Sequence, residues 1–573
     1  MLTVPLHVLT EAAQVAPDDA WLAKAVESHR SWSSSDVTMT SSDLTDARLQ
    51  ALVQAAKNLD AKPFHRVVEA IASTRDGQFT KSVPRLDALP EMLRAFLNHH
   101  KVDGWLYRQG KSGVEAFLVT SITYDDGDPR TDDKPHVIVA LARTGLLGKD
   151  SGRGRGIHTK TITLYGSDAT KKKVADIITN EGYLVETPAL RAEYDRLTEH
   201  HRTVLTTGFT EQYLYTGMPL SVSDESGRGY SRDYDTSPRS GRKVIDITPT
   251  GDIAIAETAM SSVFSDENDA EESDPGDRYG KKRNVEVAMP VPMVHNIQVF
   301  DLATHEFMTV ASGHLTRYEY DSSLADKLVL PPSHRDLLDI LTTDIATFTG
   351  DIIEGKSAGN VILAKGEPGV GKTLTAEVYS ELIERPLYSI HSGSLGVSAD
   401  SVRKNLETVF KRAKAWNAVL LLDEADVFVN ARGNNITQNA IVAEFLRTME
   451  YFDGLMFMTT NRAANIDEAV ISRCAAIIDY RVPGPKDAAR IWQVLAAQFT
   501  GGSLDETLVG DLVAGYGHIA PRDIKMLLRL ALRVSKAKSQ PLSVQLFEQV
   551  GMFRGLSFDD EKYAAHLDQT GRG

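Results

Sequence analysis

The run NVILAKGEPGVGKTLTAEVY, residues 360–379, constrains this chain more than any other stretch. An apolar strand, Val361 to Ala364, leads into Gly366-x-x-x-x-Gly371-Lys372-Thr373, and a helix follows. Glycines at these positions let backbone N–H groups curl around phosphate oxygens, and the helix N-terminus adds its dipole. Lys372 is placed to reach β- and γ-phosphates and Thr373 to bind Mg2+. The cradle runs through Gly366, Glu367, Pro368, Gly369, Val370, Gly371, Lys372, Thr373 and Leu374.

Two further runs supply what a phosphate cradle needs for chemistry. NAVLLLDEADVF (417–428) is an apolar strand ending in two acids. Burying carboxylates there is unfavourable unless a cation or a catalytic task compensates. Asp423 is the candidate Mg2+ holder, through the ion's water shell, and Glu424 the candidate general base on the attacking water. GLMFMTTNRAANID (454–467) is another apolar strand, ending in Thr-Thr-Asn, where Asn461 can hydrogen-bond the water or the γ-phosphate. Beyond it, DEAVISRCAAIIDY (467–480) sets Arg473 among apolar residues beside Cys474, the only cysteine.

Length and composition bound the rest. A chain of 573 residues exceeds one core and predicts two to four domains. A net charge of −15 argues against a protein that coats nucleic acid. One cysteine excludes an internal disulfide framework and a multi-cysteine zinc site. The N-terminus MLTVPLHVLTEAAQ has no basic region and does not read as a signal peptide. No run of about twenty apolar residues predicts a membrane span. A soluble, cytoplasmic, multidomain protein is the expectation.

Residues 1 to about 110 read mostly helical. VEAFLVTSITYDDGDPRTDDKPHVIVALART then predicts two strands around a polar loop, and KTITLYG a third. ATKKKVADIITNEG reads as an amphipathic helix stopped at Gly182, and PALRAEYDRLTEHHRTVL as another helix. The polar stretches at 223–242 and 265–283 read as disordered loops. Strands are expected in KVIDITPTGDIAIAET and MVHNIQVFDLATHEFMTVASG. Pro331-Pro332 marks a boundary, and a helix-rich tail starts near Lys486. The basic GKDSGRGRGIHTK and Lys171-Lys172-Lys173 read as a solvated loop and a helix's polar face. His99-His100 and His200-His201 read as surface histidines. The expected organisation is an α+β substrate or adaptor domain (1–200), a β-rich region (201–325), a large α/β subdomain (326–485), and a helical lid with a tail (486–573).

GEPGVGKT, LLLDEAD, TTN and ISRC, in this order, resemble the AAA+ ATPases over about residues 330–540, with wording similar to the AAA branch. The resemblance implies an α/β fold: an αβα P-loop core with a central parallel sheet, a helical lid, and a ring, most often of six copies. It implies ATP and Mg2+ as ligands, with Lys372 and Thr373 as the Walker A pair. Asp423 and Glu424 are the implied Walker B pair, and Asn461 the implied sensor 1 residue. In the lid, GYGHIAPRDIKMLLRLAL is similar to the sensor 2 helix and makes Arg522 the implied γ-phosphate contact. Arg473 is the implied finger reaching a neighbouring subunit's γ-phosphate.

Two features depart from that family. AAA proteins generally carry two arginines where this chain has one, and Ser-Arg-Cys resembles the clamp-loader form. The first pore loop falls in HSGSLGVSADSVRKNLETVF, which holds no aromatic between Tyr388 and Phe410. The expected function is a ring-forming ATPase that remodels, disassembles or translocates a protein substrate or adaptor, with action on folded partners fitting better than threading. The alternatives are a nucleic-acid loader or motor and a nucleotide-dependent assembly switch. Intact Glu424 and Asn461 argue against the switch.

Overall fold

The runs Val361–Ala364, Val419–Leu422 and Leu455–Met458 are apolar at every position, a pattern suited to strands covered on both faces. In the computed structural model they are three neighbouring strands of a five-stranded sheet. Its order is Leu387–His391, Val419–Asp423, Leu455–Thr460, Asn360–Gly366 and Ala476–Tyr480, all parallel. The structure describes residues 2–30, 36–102, 104–110, 113–128, 130–131, 133–144, 157–207, 210–223, 241–248, 259–261, 288–343, 360–431, 436–462 and 466–570.

Strand alternation sorts the apolar side chains into two layers. Val361, Leu363, Leu420, Leu422, Met456 and Met458 pack with side chains of helices Ala399–Ala415 and Ile436–Met449. Ile362, Ala364, Val419, Leu421, Leu455 and Phe457 pack with those of helix Lys372–Leu382. This is the αβα core that the resemblance implies. Register places Thr460 opposite Lys365 and Asp423 opposite His391, so the polar residues following each strand gather at one sheet edge. Ligands of open parallel sheets bind at that carboxyl edge.

Helices Pro485–Thr500, Glu506–Tyr516, Pro521–Lys538 and Val544–Met552 enclose a separate core, with Trp492 edge-on to Phe547 at 5.4 Å. Pro521 occupies the first helical turn of Pro521–Lys538, where its missing N–H removes no helical bond.

Toward the N-terminus, helices Asp46–Asn58, Lys62–Arg75 and Leu89–His99 share a core with an antiparallel sheet. That sheet runs in the order Trp105–Gly110, Gly113–Asp125, His136–Thr144, Ile157–Tyr165. A second antiparallel sheet has six strands, including Arg242–Thr248, Asn296–Asp301 and Phe307–Ala311. Most of both polar stretches, and of the basic GKDSGRGRGIHTK, lies outside the described residues.

Three expectations change. ATKKKVADIITNEG is not one helix: Gly166–Ala169 and Val174–Asn180 are separate, and Lys171 between them has φ +67. The three lysines thus form the turn before a helix, while Gly182 does follow the helix end with φ +78. Helix Pro188–Thr207 runs unbroken through residue 200, the expected end of the first domain. Finally, His201 is 4% exposed. Tyr194, Leu197, His201 and Val204 form the buried stripe of that helix, so a histidine at helical spacing is carried inward. His201 Nδ1 meets Ser312 Oγ at 3.0 Å, and neighbouring His295 Nε2 meets Thr198 Oγ1 at 2.8 Å.

Candidate active site

The turn from strand Asn360–Gly366 into helix Lys372–Leu382 needs left-handed backbone at Gly369 (φ +85) and Gly371 (φ +106). A Cβ on Gly366 would sit 2.1 Å from the Tyr480 carbonyl oxygen, so glycine also lets two parallel strands close at this edge. Val370 is buried while Glu367, Pro368 and Leu374 are exposed. The loop is anchored by one apolar side chain and otherwise presents backbone.

Lys372 is buried, and its ammonium donates to Gly366 O (2.9 Å), Glu367 O (2.7 Å) and Asn461 Oδ1 (3.0 Å). Desolvation pulls its pKa below the usual lysine range, and the nearby Asp423 and Asp426 carboxylates oppose that shift. Thr373 Oγ1 donates to Asp423 Oδ1 at 3.0 Å. Four residues from three separate sequence runs therefore meet in two hydrogen bonds. The hydroxyl and carboxylate oxygens of Thr373 and Asp423 are the hard donor pair that suits Mg2+. Glu424 follows with its side chain exposed and its backbone left-handed at φ +52.

From the lid, the Arg522 N–H donates to Gly369 O at 3.1 Å. A Cβ on Gly369 would lie 2.7 Å from the Arg522 Cβ, so the lid helix rests directly on the phosphate loop. Arg473 does not join this cluster. It follows the short helix Glu468–Ile471, donates to Ala469 O at 3.0 Å, and pairs with Glu450 at the end of the preceding long helix. Cys474 donates to Val470 O at 3.2 Å, and burial pushes its thiol up to about 12, far from a reactive thiolate.

Sequence reasoning missed three residues. Thr459 donates to Asp423 and accepts the Glu424 N–H at 3.0 Å. Thr460 donates to Asp426, whose Oδ1 also accepts the Asn461 N–H at 3.1 Å. The signal was present in the letters TTN and DEAD, where only the flanking residues carried an assigned role.

With this geometry in place, residues 362–482 match the model of the ATPase family associated with various cellular activities (AAA). The chain carries an AAA ATPase domain. Relatives of the AAA domain include the ATP-dependent zinc metalloprotease FtsH of Ureaplasma parvum, 31% identical over 121 residues, covering 19% of this chain and 16% of that protein. They also include the ATPase family AAA domain-containing protein FIGL1 of Arabidopsis thaliana, 28% identical over 195 residues, covering 31% of this chain and 28% of that protein. The chain thus spans well under a third of either relative's length. A solved FIGL-1 AAA domain in complex with ADP is 19% identical, with TM-score 0.33, covering 43% of this chain and 89% of that one. Among the described residues no helix is long and apolar enough to cross a membrane.

Proposed function

We propose that this AAA domain, assembled as a ring, couples Mg2+-dependent ATP hydrolysis to remodelling of a protein partner recognised by residues N-terminal to about 325. The observation that carries the reading is the meeting of Lys372 with Asn461 and of Thr373 with Asp423 at one sheet edge. Lys372 and the backbone of Gly366–Gly371 bind the phosphates, and Asn461 orients the γ-phosphate or the water. Glu424 takes the proton from that water. Thr373 and Asp423 would hold the magnesium ion, which supplies charge neutralisation on the phosphates when bound. Arg522 closes the lid over the loop.

Arg473 acts across the ring on the neighbour's γ-phosphate. Its half-buried guanidinium is steered by Glu450 and has no bond to its own subunit's phosphate loop among the described residues, which supports a role outside that subunit. Remodelling is favoured over an isolated ATPase by a physical link. Lys243, in the six-stranded sheet, donates to Glu381 at 2.7 Å, and Glu381 lies on the helix that begins with Lys372. A shift of that helix therefore reaches the N-terminal region.

The test is ATP turnover by the full chain and by Glu424→Gln, followed by recovery of proteins bound to the ATP-trapped variant. Turnover in the wild type that a recovered protein accelerates supports the reading. Turnover accelerated by DNA and by no protein overturns it.

A further inference from the structure

We propose that Thr459 and Asp426 are positioning residues that lock Glu424 and Asn461 to each other. The inference rests on the reading above, in which Glu424 and Asn461 act on the water and the γ-phosphate.

Thr459 and Thr460 end the strand Leu455–Thr460 and are 2% and 0% exposed. Successive strand side chains point to opposite faces, so the two hydroxyls reach different partners on the neighbouring acid-bearing segment. The Thr459 hydroxyl has one proton to give, and it goes to Asp423 Oδ1, which also accepts from Thr373. Its lone pair takes the Glu424 N–H at 3.0 Å, and the Thr459 carbonyl takes the Ala425 N–H at 2.8 Å. These two tethers hold Glu424 in a left-handed conformation, φ +52, that a residue with a Cβ rarely adopts unaided.

The reverse arm starts from Asp426. Its Oδ1 accepts both the Thr460 hydroxyl and the Asn461 N–H, the latter at 3.1 Å. Asn461 then extends its own side-chain oxygen to the Lys372 ammonium at 3.0 Å. So the strand that carries Asn461 fixes the backbone of Glu424, and the loop that carries Glu424 fixes the backbone of Asn461. Neither group can move relative to the phosphate loop without breaking a hydrogen bond to the other's segment.

The experiment measures steady-state turnover and ATP affinity on the full chain. Thr459→Val and Asp426→Ala should each lower kcat about 10–100-fold, as loss of a positioning partner does, with ATP affinity within about twofold of wild type. Thr459→Ser and Asp426→Asn, which keep a hydroxyl and an acceptor oxygen, should recover most of the rate. In double variants, Thr459→Val should add nothing to Glu424→Gln, and Asp426→Ala nothing to Asn461→Ala, because each acts through the other residue. Wild-type kcat in both single variants, or losses that multiply in the doubles, overturns the proposal. If Thr459→Val does not fold, the Asp426→Ala and Asn461→Ala cycle decides alone. Unchanged turnover in Glu424→Gln and Asn461→Ala themselves would instead overturn the underlying site reading.

Discussion

The Lys372 ammonium donates to the side-chain oxygen of Asn461 at 3.0 Å, across 89 residues of sequence. Its other two donors go to Gly366 O and Glu367 O, so three protons are matched by three oxygens. A planar guanidinium cannot reproduce it. Lys372→Arg should therefore lose nucleotide affinity to the same degree as Lys372→Ala, measured by titration with a fluorescent ATP analogue. Binding by the arginine variant near the wild-type level would show that charge alone suffices.

Glu424 is exposed at the sheet edge with its backbone fixed, the placement a general base needs. Glu424→Gln should lower ATP turnover by about 10²–10⁴-fold while ATP binding persists. Steady-state phosphate release beside equilibrium nucleotide binding checks both halves.

For Arg473, subunit mixing separates action across the ring from action within a subunit. Arg473→Ala and Glu424→Gln proteins should each be nearly inactive, the former down by about 10³–10⁵-fold if it is a finger. Mixed rings contain sites that pair an intact acid with a neighbour's intact arginine, so activity should return. No recovery in rings whose assembly is verified would assign Arg473 a role within its own subunit.

Gly366→Ala tests the fold at the same edge. The added Cβ would meet the Tyr480 carbonyl at 2.1 Å, and φ +149 is unfavourable for a side chain. Backbone strain alone should cost about 1–3 kcal/mol, and the clash adds to it. Chemical denaturation of the purified variant reads the loss.

The buried histidines make stability pH-dependent. Burial pushes His201 down to about 4, helped by the charges of His200 and Arg202, and burial with the charge of His201 pushes His295 down to about 3. Both rings are neutral in the folded protein but take up protons near pH 6.5 when unfolded. Their contribution is complete above about pH 6.5 and is lost as pH falls toward the folded values, on the order of 3 kcal/mol for His201 and about 5 kcal/mol for His295 at the limit. The groups facing the pair are Tyr194, Thr198, Ser312, His200 and Arg202. Melting temperatures between pH 7 and 5 should fall more steeply for wild type than for a His201→Gln, His295→Gln double variant.

The core sheet is legible in the sequence because four-residue apolar runs that end in fixed polar residues leave few arrangements. Lys372, Thr373, Asp423 and Asn461 could be placed for the same reason. Thr459, Thr460 and Asp426 could not, since a hydroxyl beside Asn at a strand end reads equally as turn chemistry. Only the register that sets Leu422 opposite Met458 brings them together. His201 was illegible for a related reason: its partner Ser312 lies 111 residues away, in a short turn after strand Phe307–Ala311 with no motif of its own. The KKK turn misled because helical propensity continues through it, while Thr170 and Lys173 are extended and Lys171 is left-handed.

Ile245 and Phe300, from the six-stranded sheet, and Leu302, in the turn after strand Asn296–Asp301, lie in the same hydrophobic cluster as Tyr388 and Trp416 of the AAA domain. The Phe300 ring is 5.0 Å from that of Trp416, and the Arg412 guanidinium lies 4.8 Å above Phe300. A fragment trimmed to the family match would uncover a tryptophan that is 1% exposed in the intact chain. It would be prone to self-association through that scar, and its measured activity would describe a damaged surface. Transplanting the front of this protein onto another AAA domain would, as the mirror image, leave Ile245, Phe300 and Leu302 without the Tyr388 and Trp416 surface that covers them.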